Sequence, residues 1–112
     1  MFFDSIKIIN TLLQNVLKNP GQLKYSRIRL TNEKIMKHID SVDQARFIME
    51  MMGFEQRMLP SGENFDGPLD KYLALDDQRA DPRDMNHLCS IIQDILTKNN
   101  LKPLTTKINL DP

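Results

Sequence analysis

Apolar residues recur every three or four positions in four stretches of the chain, the spacing that places them on one face of an amphipathic helix. The four stretches predict four helices that share one core. Their apolar stripes are, in chain order, Ile6, Ile9, Leu13, Val16 and Leu17; then Tyr25, Ile28, Ile35, Met36 and Ile39; then Ala45, Ile48, Met49 and Met52; and finally Met85, Leu88, Ile92, Ile95 and Leu96.

The polar residues between the first two stripes predict where these helices end. The Asn-Pro-Gly run at 19–21 ends the first helix, because proline cannot continue it and glycine tolerates the turn. The second helix is predicted over about 22–39. An interruption is expected at Thr31 and Asn32, since both are residue types that cap helices.

The other two helices carry their own boundary signals. Ser41 and Gln44 have the spacing of a capping box and predict the start of the third helix. Gly53 is suited to the left-handed conformation that ends it. Asp81 followed by Pro82 predicts an N-cap and a proline at the first position of the last helix.

The segment between the third and last helices has a different pattern. Proline and glycine turn signals at 60–62 and 67–68 separate two short strand-like pieces, 56–59 and 72–75. These pieces predict a small antiparallel sheet. The fold class is therefore α+β and mostly helical.

Length and charge narrow the class of protein. The chain of 112 residues is predicted to be one domain, 1–112, and its 40% of hydrophobic residues is typical of a globular one. The formal net charge is zero, which argues against a general nucleic-acid or anionic-membrane surface. Basic residues outnumber acidic ones by seven to three over 18–46, so a local anion-reading site is expected there.

The cysteine content predicts the compartment. Cys89 is the one cysteine, so the chain can form no internal disulfide, which is typical of the reducing cytoplasm or nucleus. Cys89 lies beside the last apolar stripe and is expected to be a small buried hydrophobe. The first residues lack the basic leader of a signal peptide, and no stretch reaches the ~20 apolar residues of a spanning helix.

Catalytic and metal-binding arrangements are not expected. His87 and Cys89 would point about 200° apart on a helix, so they cannot form a nucleophile–base pair. Two histidines and one cysteine without ligand spacing predict no zinc site. The sequence has no glycine-rich phosphate loop and no serine nucleophile elbow. We therefore expect a non-catalytic domain without a cofactor.

A candidate binding surface lies around the junction of the first two helices. Tyr25 and Arg29 are four apart and would be neighbours on one helix face, with Lys24 beside them and Asn32 three residues further on. Asn15 falls on the outward side of the first helix. Asparagine amides donate to and accept from a peptide backbone, and Arg and Lys bind carboxylates through charge-assisted hydrogen bonds.

Each of these residues also has an ordinary structural explanation. Tyr25 would be an aromatic at the core edge, Arg29 a solvated helix charge, Asn32 a helix N-cap and Asn15 a plain surface amide. Spacing alone does not choose between these roles and a binding surface.

The same segment resembles the signature of the PUB domain, which occurs in peptide N-glycanase, in a UBX-containing adaptor and in a linear-ubiquitin ligase. The resemblance covers about 6–101 and implies about five helices with a small three-stranded antiparallel sheet, leaving 102–112 as a flexible tail. The matching residues are Asn19, Pro20, Lys24, Tyr25, Ile28, Arg29 and Asn32, followed by Ala45, Ile48, Met52, Gly53 and Phe54.

The resemblance also implies a partner. PUB domains grip the C-terminal tail of the AAA ATPase valosin-containing protein, so we expect a monomeric adaptor module of the ubiquitin–proteasome and ER-associated degradation system. Asn15 and Asn32 would read the backbone of the tail. Lys24 and Arg29 would face its acidic stretch and terminal carboxylate, and Tyr25 would wall an aromatic pocket.

Two alternatives remain within this resemblance. The module would dock a different tail, such as a deubiquitinase segment, or it would be the N-terminal targeting domain of a longer enzyme such as peptide N-glycanase. In the second case the catalytic residues lie outside this sequence. Ser26 stands where PUB domains often have a basic residue, which puts one extra charge contact in doubt.

Overall fold

A computed structural model describes residues 2–62 and 66–99 of the chain. Five α-helices and a three-stranded antiparallel sheet confirm the α+β class expected from the sequence. The elements are, in chain order, α1 Phe2–Lys18, α2 Leu23–Ser26, β1 Arg27–Arg29, α3 Glu33–Ile35 continued by a π-helical turn Met36–Asp40, α4 Asp43–Met51, β2 Phe54–Pro60, β3 Leu69–Leu75 and α5 Pro82–Lys98.

The core lies between the helices and one face of the sheet. α1 packs along α5 and also contacts α4 and the π-helical turn. Ile9 and Leu13 on α1 are fully buried, as are Ile28 on β1 and Leu73 on β3. Ala45 and Met49 on α4 are also fully buried, so the predicted stripes of the first and third helices both face the core.

The predicted second helix over 22–39 is wrong in its middle. Its first turn is α2, but 27–29 form an edge strand, and helical structure resumes only at α3. Arg27 lies opposite Ala74 and Arg29 opposite Tyr72 in the pairing with β3. Ile28 between them is buried, so the three residues follow the two-residue period of a strand. Backbone hydrogen bonds to β3, which is distant in sequence, decide this conformation.

The predicted interruption of that helix is confirmed at Asn32. Its side-chain oxygen accepts hydrogen bonds from the backbone N–H groups of Lys34 and Ile35 at 3.1 and 3.3 Å. Asn32 is thus the N-cap of α3, the role that asparagine fills well because its oxygen satisfies the first free N–H groups of a helix. Met36, assigned to the inner stripe, is 45% exposed.

The sheet has the order β1-β3-β2. β2 and β3 form a hairpin in which Phe54 lies opposite Leu75 and Pro60 opposite Leu69. The predicted strands at 56–59 and 72–75 are confirmed, and both are longer than predicted, because β2 begins at Phe54 and β3 at Leu69. β3 is the central strand, so it pairs with β2 on one side and with β1 on the other.

The boundaries of α4 and α5 test three further predictions. The capping box of Ser41 and Gln44 is wrong, because the Ser41 hydroxyl donates to the Met36 carbonyl at 2.6 Å and α4 begins only at Asp43. Gly53 follows α4 with a φ of +106°, as expected. The Asp81 carboxylate accepts from the Arg83 N–H at 2.9 Å, which confirms the N-cap of α5.

The inner stripe of α5 is confirmed except at Ile95, which is 36% exposed, whereas the adjacent Leu96 is buried. Cys89 is buried in the core, as expected, and burial raises the pKa of its thiol. In the described part of the chain no helix is long and apolar enough to cross a membrane. The flexible tail expected at 102–112 lies outside the described residues.

Candidate functional site

The five predicted site residues lie on four consecutive elements of the chain. Asn15 lies in the last turns of α1, Lys24 and Tyr25 in α2, Arg29 at the end of β1, and Asn32 at the start of α3. α2 packs against both α1 and β1, so the elements that carry Asn15, Lys24, Tyr25 and Arg29 are in contact with one another.

Lys24 and Tyr25 are adjacent residues of α2. The Lys24 ammonium lies 5.9 Å from the centroid of the Tyr25 ring, within the range of a cation–π contact. Tyr25 is half-buried and packs against the core, so its role as an aromatic at the core edge is confirmed. The exposed part of the ring and the ammonium together present an aromatic and cationic surface.

Arg29 does not share a helix face with Tyr25, because α2 ends at Ser26 and Arg29 belongs to β1. The prediction that these two residues are helical neighbours is therefore wrong. The alternative of a solvated helix charge is wrong for the same reason. The side chain of Arg29 is only 22% exposed and makes an ion pair with Asp70, its Nε lying 2.7 Å from the Asp70 Oδ2.

Asp70, near the start of β3, accepts three hydrogen bonds. Besides Arg29 Nε, its Oδ2 accepts from the Thr31 hydroxyl at 3.0 Å, and its Oδ1 accepts from the Lys71 N–H at 2.7 Å. The Lys71 N–H, and after it the Arg29 guanidinium, hold the pKa of the Asp70 carboxyl below its usual range. The carboxyl therefore stays ionised at neutral pH and maintains its ion pair with Arg29.

Sequence reasoning missed Asp70. Arg29 and Asp70 are 41 residues apart, and no local spacing connects them. The one available signal was the strand predicted at 72–75, beside which Asp70 lies, but its partner strand was predicted to be a helix.

Asn32 follows Arg29 in a tight turn. The backbone N–H of Asn32 donates to the Arg29 carbonyl at 3.2 Å, so the two residues are held close together. Its structural role as an N-cap is confirmed, and this role uses the side-chain oxygen. Asn15 is half-buried, and its backbone carbonyl accepts from the Asn19 side-chain amide at 2.9 Å, which stabilises the end of α1.

An apolar cavity of about 260 Å³ opens beside α2, between the end of α1, the end of β3 and the start of α5. Its walls come from two segments that are distant in sequence, 16–26 and 75–85. The lining residues are Val16, Leu17, Pro20, Gly21, Ser26, Leu75, Asp77, Ala80, Pro82 and Met85. None of the five predicted residues lines this cavity, so the expected pocket walled by Tyr25 is not this one, although Ser26 lies directly beside Tyr25.

Two comparisons with known proteins relate this chain to a family. The family model described as the PUB domain matches residues 2–90. The curated protein named UBX domain-containing protein 6, from Caenorhabditis elegans, is 34% identical over 87 residues, which cover 70% of this chain and 20% of that protein. The chain thus spans about a fifth of the length of this relative.

Proposed function

Because the chain belongs to the PUB domain family of protein-interaction modules, we propose that it docks the C-terminal tail of the AAA ATPase valosin-containing protein. The proposed module is non-catalytic and acts as an adaptor in the ubiquitin–proteasome and ER-associated degradation system. The similarity to a protein named for its UBX domain supports this setting. A reducing compartment, the cytoplasm or nucleus, is proposed because the single cysteine is buried and unpaired.

The observation that carries the proposal is the hydrogen bonding of the Arg29 guanidinium. Its Nε is bound to Asp70, whereas within the described part of the chain neither Nη1 nor Nη2 donates a hydrogen bond. Two parallel N–H donors in one plane match the two oxygens of a carboxylate. A C-terminal tail that is acidic carries such groups on its side chains and at its end.

The neighbouring residues supply the remaining contacts of the proposed interface. The Lys24 ammonium adds a second cation, and the Tyr25 ring offers an apolar surface to an aromatic residue of the tail. Leu23, which precedes them, is 47% exposed and extends this apolar surface. Asn15 and Asn32 are proposed to hydrogen-bond the tail backbone, since amide side chains match peptide N–H and C=O groups.

Calorimetric titration tests the proposal. The titrant is a peptide that ends in acidic residues followed by Leu-Tyr-Gly. Arg29→Ala should weaken binding by about 1–3 kcal/mol, the usual cost of a lost charge-assisted contact. Lys98→Ala at the end of α5 removes an exposed positive charge away from the site and should leave the affinity unchanged. Equal affinities for all three proteins would place the tail elsewhere.

Salt separates this interface from non-specific attraction. Raising the salt concentration should weaken the binding of the parent protein by screening its cations, but it should not abolish it, because the apolar contacts are insensitive to salt. Arg29→Ala should show a smaller salt dependence. Complete loss of binding at moderate salt would mean that the contact is purely charge-driven and non-specific.

A further inference from the structure

Asp70 anchors one side of the Arg29 guanidinium and is itself anchored. Both of its oxygens are hydrogen-bonded, one to Arg29 and Thr31 and the other to the Lys71 N–H. The backbone of this corner is also tied to the sheet, because the Leu30 N–H donates to the Lys71 carbonyl at 2.9 Å. The carboxylate therefore has little freedom to follow Arg29 if the arginine moves.

The anchor fixes the orientation of the guanidinium. This group is planar, so a bond at Nε determines the direction in which Nη1 and Nη2 point, once the side chain is also held at its stem. The side chains of Arg29 and Asp70 are 22% and 21% exposed, so the pair lies at the surface with limited access to water. The free edge of the guanidinium is consequently presented in one orientation before any ligand arrives.

We propose that Asp70 is a positioning residue of the tail-binding site, which holds Arg29 so that its two terminal nitrogens receive one carboxylate of the tail. This inference rests on the proposed tail-docking function. An arginine that is already immobilised loses less rotamer freedom when it binds, which increases affinity without any new contact to the ligand. Asp70 itself does not touch the tail.

Removing the Asp70 carboxylate should change the affinity for the tail in opposite directions, depending on whether Asp70 positions Arg29 or acts only through its negative charge. A carboxylate beside the site repels an acidic tail, so charge alone predicts tighter binding when it is removed. Positioning predicts weaker binding, because Arg29 is then free to adopt other rotamers. The sign of the change therefore decides between the two.

The experiment uses the full chain and three peptides in calorimetric titrations. The peptides are the acidic one ending in Leu-Tyr-Gly, its C-terminally amidated form, and a form with the acidic residues replaced by Asn and Gln. Arg29→Ala first shows which carboxylate of the tail Arg29 binds. The affinity of this variant should be the same for the peptide that has that carboxylate and for the peptide that lacks it. Asp70→Ala is then compared with the parent protein on that pair of peptides.

We expect Asp70→Ala to weaken binding of the peptide that has this carboxylate by about three- to tenfold, the range expected for one immobilised side chain. Binding of the peptide that lacks it should be unchanged. The double variant Arg29→Ala/Asp70→Ala should bind like Arg29→Ala alone. Thr31→Val removes another donor to Asp70 but leaves the ion pair, so its affinity should stay within about twofold of the parent.

Asp70→Asn is the second variant in case alanine impairs folding. Its amide oxygen can accept from Arg29, but its NH2 group cannot accept from the Lys71 N–H, so it should give a smaller loss of the same sign. The positioning role is overturned if either Asp70 variant binds more tightly than the parent. It is also overturned if the affinity falls equally for both peptides, or if it falls further in the double variant than in Arg29→Ala. A parent protein that binds none of the peptides contradicts the tail-docking function instead.

Discussion

At the scale of single residues, Asn32 combines a structural and a proposed binding role. Its side-chain oxygen caps α3 through the N–H groups of Lys34 and Ile35. The tail-binding role proposed for the same side chain depends on its amide donors. Serine separates these functions, because its hydroxyl oxygen caps a helix nearly as well but brings no amide group.

Asn32→Ala is expected to lower the free energy of unfolding by about 0.5–2 kcal/mol, the cost of a lost N-cap. Asn32→Ser should retain most of that stability. Both variants should weaken tail binding by about 1–3 kcal/mol, because both lose the amide. Denaturant unfolding and calorimetric titration measure the two quantities separately. Tail binding by Asn32→Ser at the affinity of the parent would limit Asn32 to its capping role.

At the scale of elements, the loop between α4 and β2 lies in close contact with the backbone of the segment before α5. Gly53 has a φ of +106°, and a Cβ atom added to it would lie 3.0 Å from both the Cα and the N of Ala80. Gly53 also accepts the Asp76 N–H at its carbonyl, which connects this loop to the end of β3. The glycine therefore allows α4, the hairpin and the segment before α5 to meet.

Gly53→Ala tests this contact, and Gly21→Ala is its matched control. Gly21 also has a positive φ, +78°, but no atom lies within 4 Å of its added Cβ. Gly21→Ala should cost about 1 kcal/mol for the left-handed backbone. Gly53→Ala should cost a further ~1–3 kcal/mol for overpacking against Ala80. Denaturant unfolding of both variants measures the difference, and equal losses would show that the Ala80 contact is unimportant.

At the scale of the whole molecule, the distribution of charge distinguishes tail docking from phosphate recognition. Lys24, Arg27 and Arg29 form a basic run that resembles a receptor for phosphorylated motifs. However, Arg29 is paired with the Asp70 carboxylate, with 2.7 Å between its Nε and the Asp70 Oδ2. The Asp70 carboxylate offsets part of the Arg29 charge, so a dianion gains less there than beside an unpaired arginine.

Phosphorylating the tyrosine of the tail peptide should therefore weaken binding by ~2 kcal/mol or more, the scale of a lost hot spot. The phosphate adds about two negative charges that would have to shed water against the apolar surface beside Tyr25. Replacing the same tyrosine by phenylalanine should be tolerated far better. Titrations of the three peptides side by side measure this order. Tighter binding of the phosphopeptide would make the basic run the main determinant and reject the aromatic contact.

The sequence by itself determined the long helices. α1 and α5 each span 17 residues, and an apolar stripe of that length has only one period that places it on a single face. Asp81 and Asn32 were identifiable as capping residues because a cap depends on neighbours within three positions. The family signature was visible for the same reason, since its residues lie at fixed local spacing.

Only the tertiary structure decided the conformation of 27–29 and the surroundings of Arg29. A single apolar residue between two arginines fits the period of a helix or of a strand equally well, and pairing with β3 selects the strand. That pairing brings Asp70 to Arg29 across 41 residues of sequence. Hydrogen bonds between distant strands form only when the whole chain closes around its core, so local sequence carries no record of which residues they bring together.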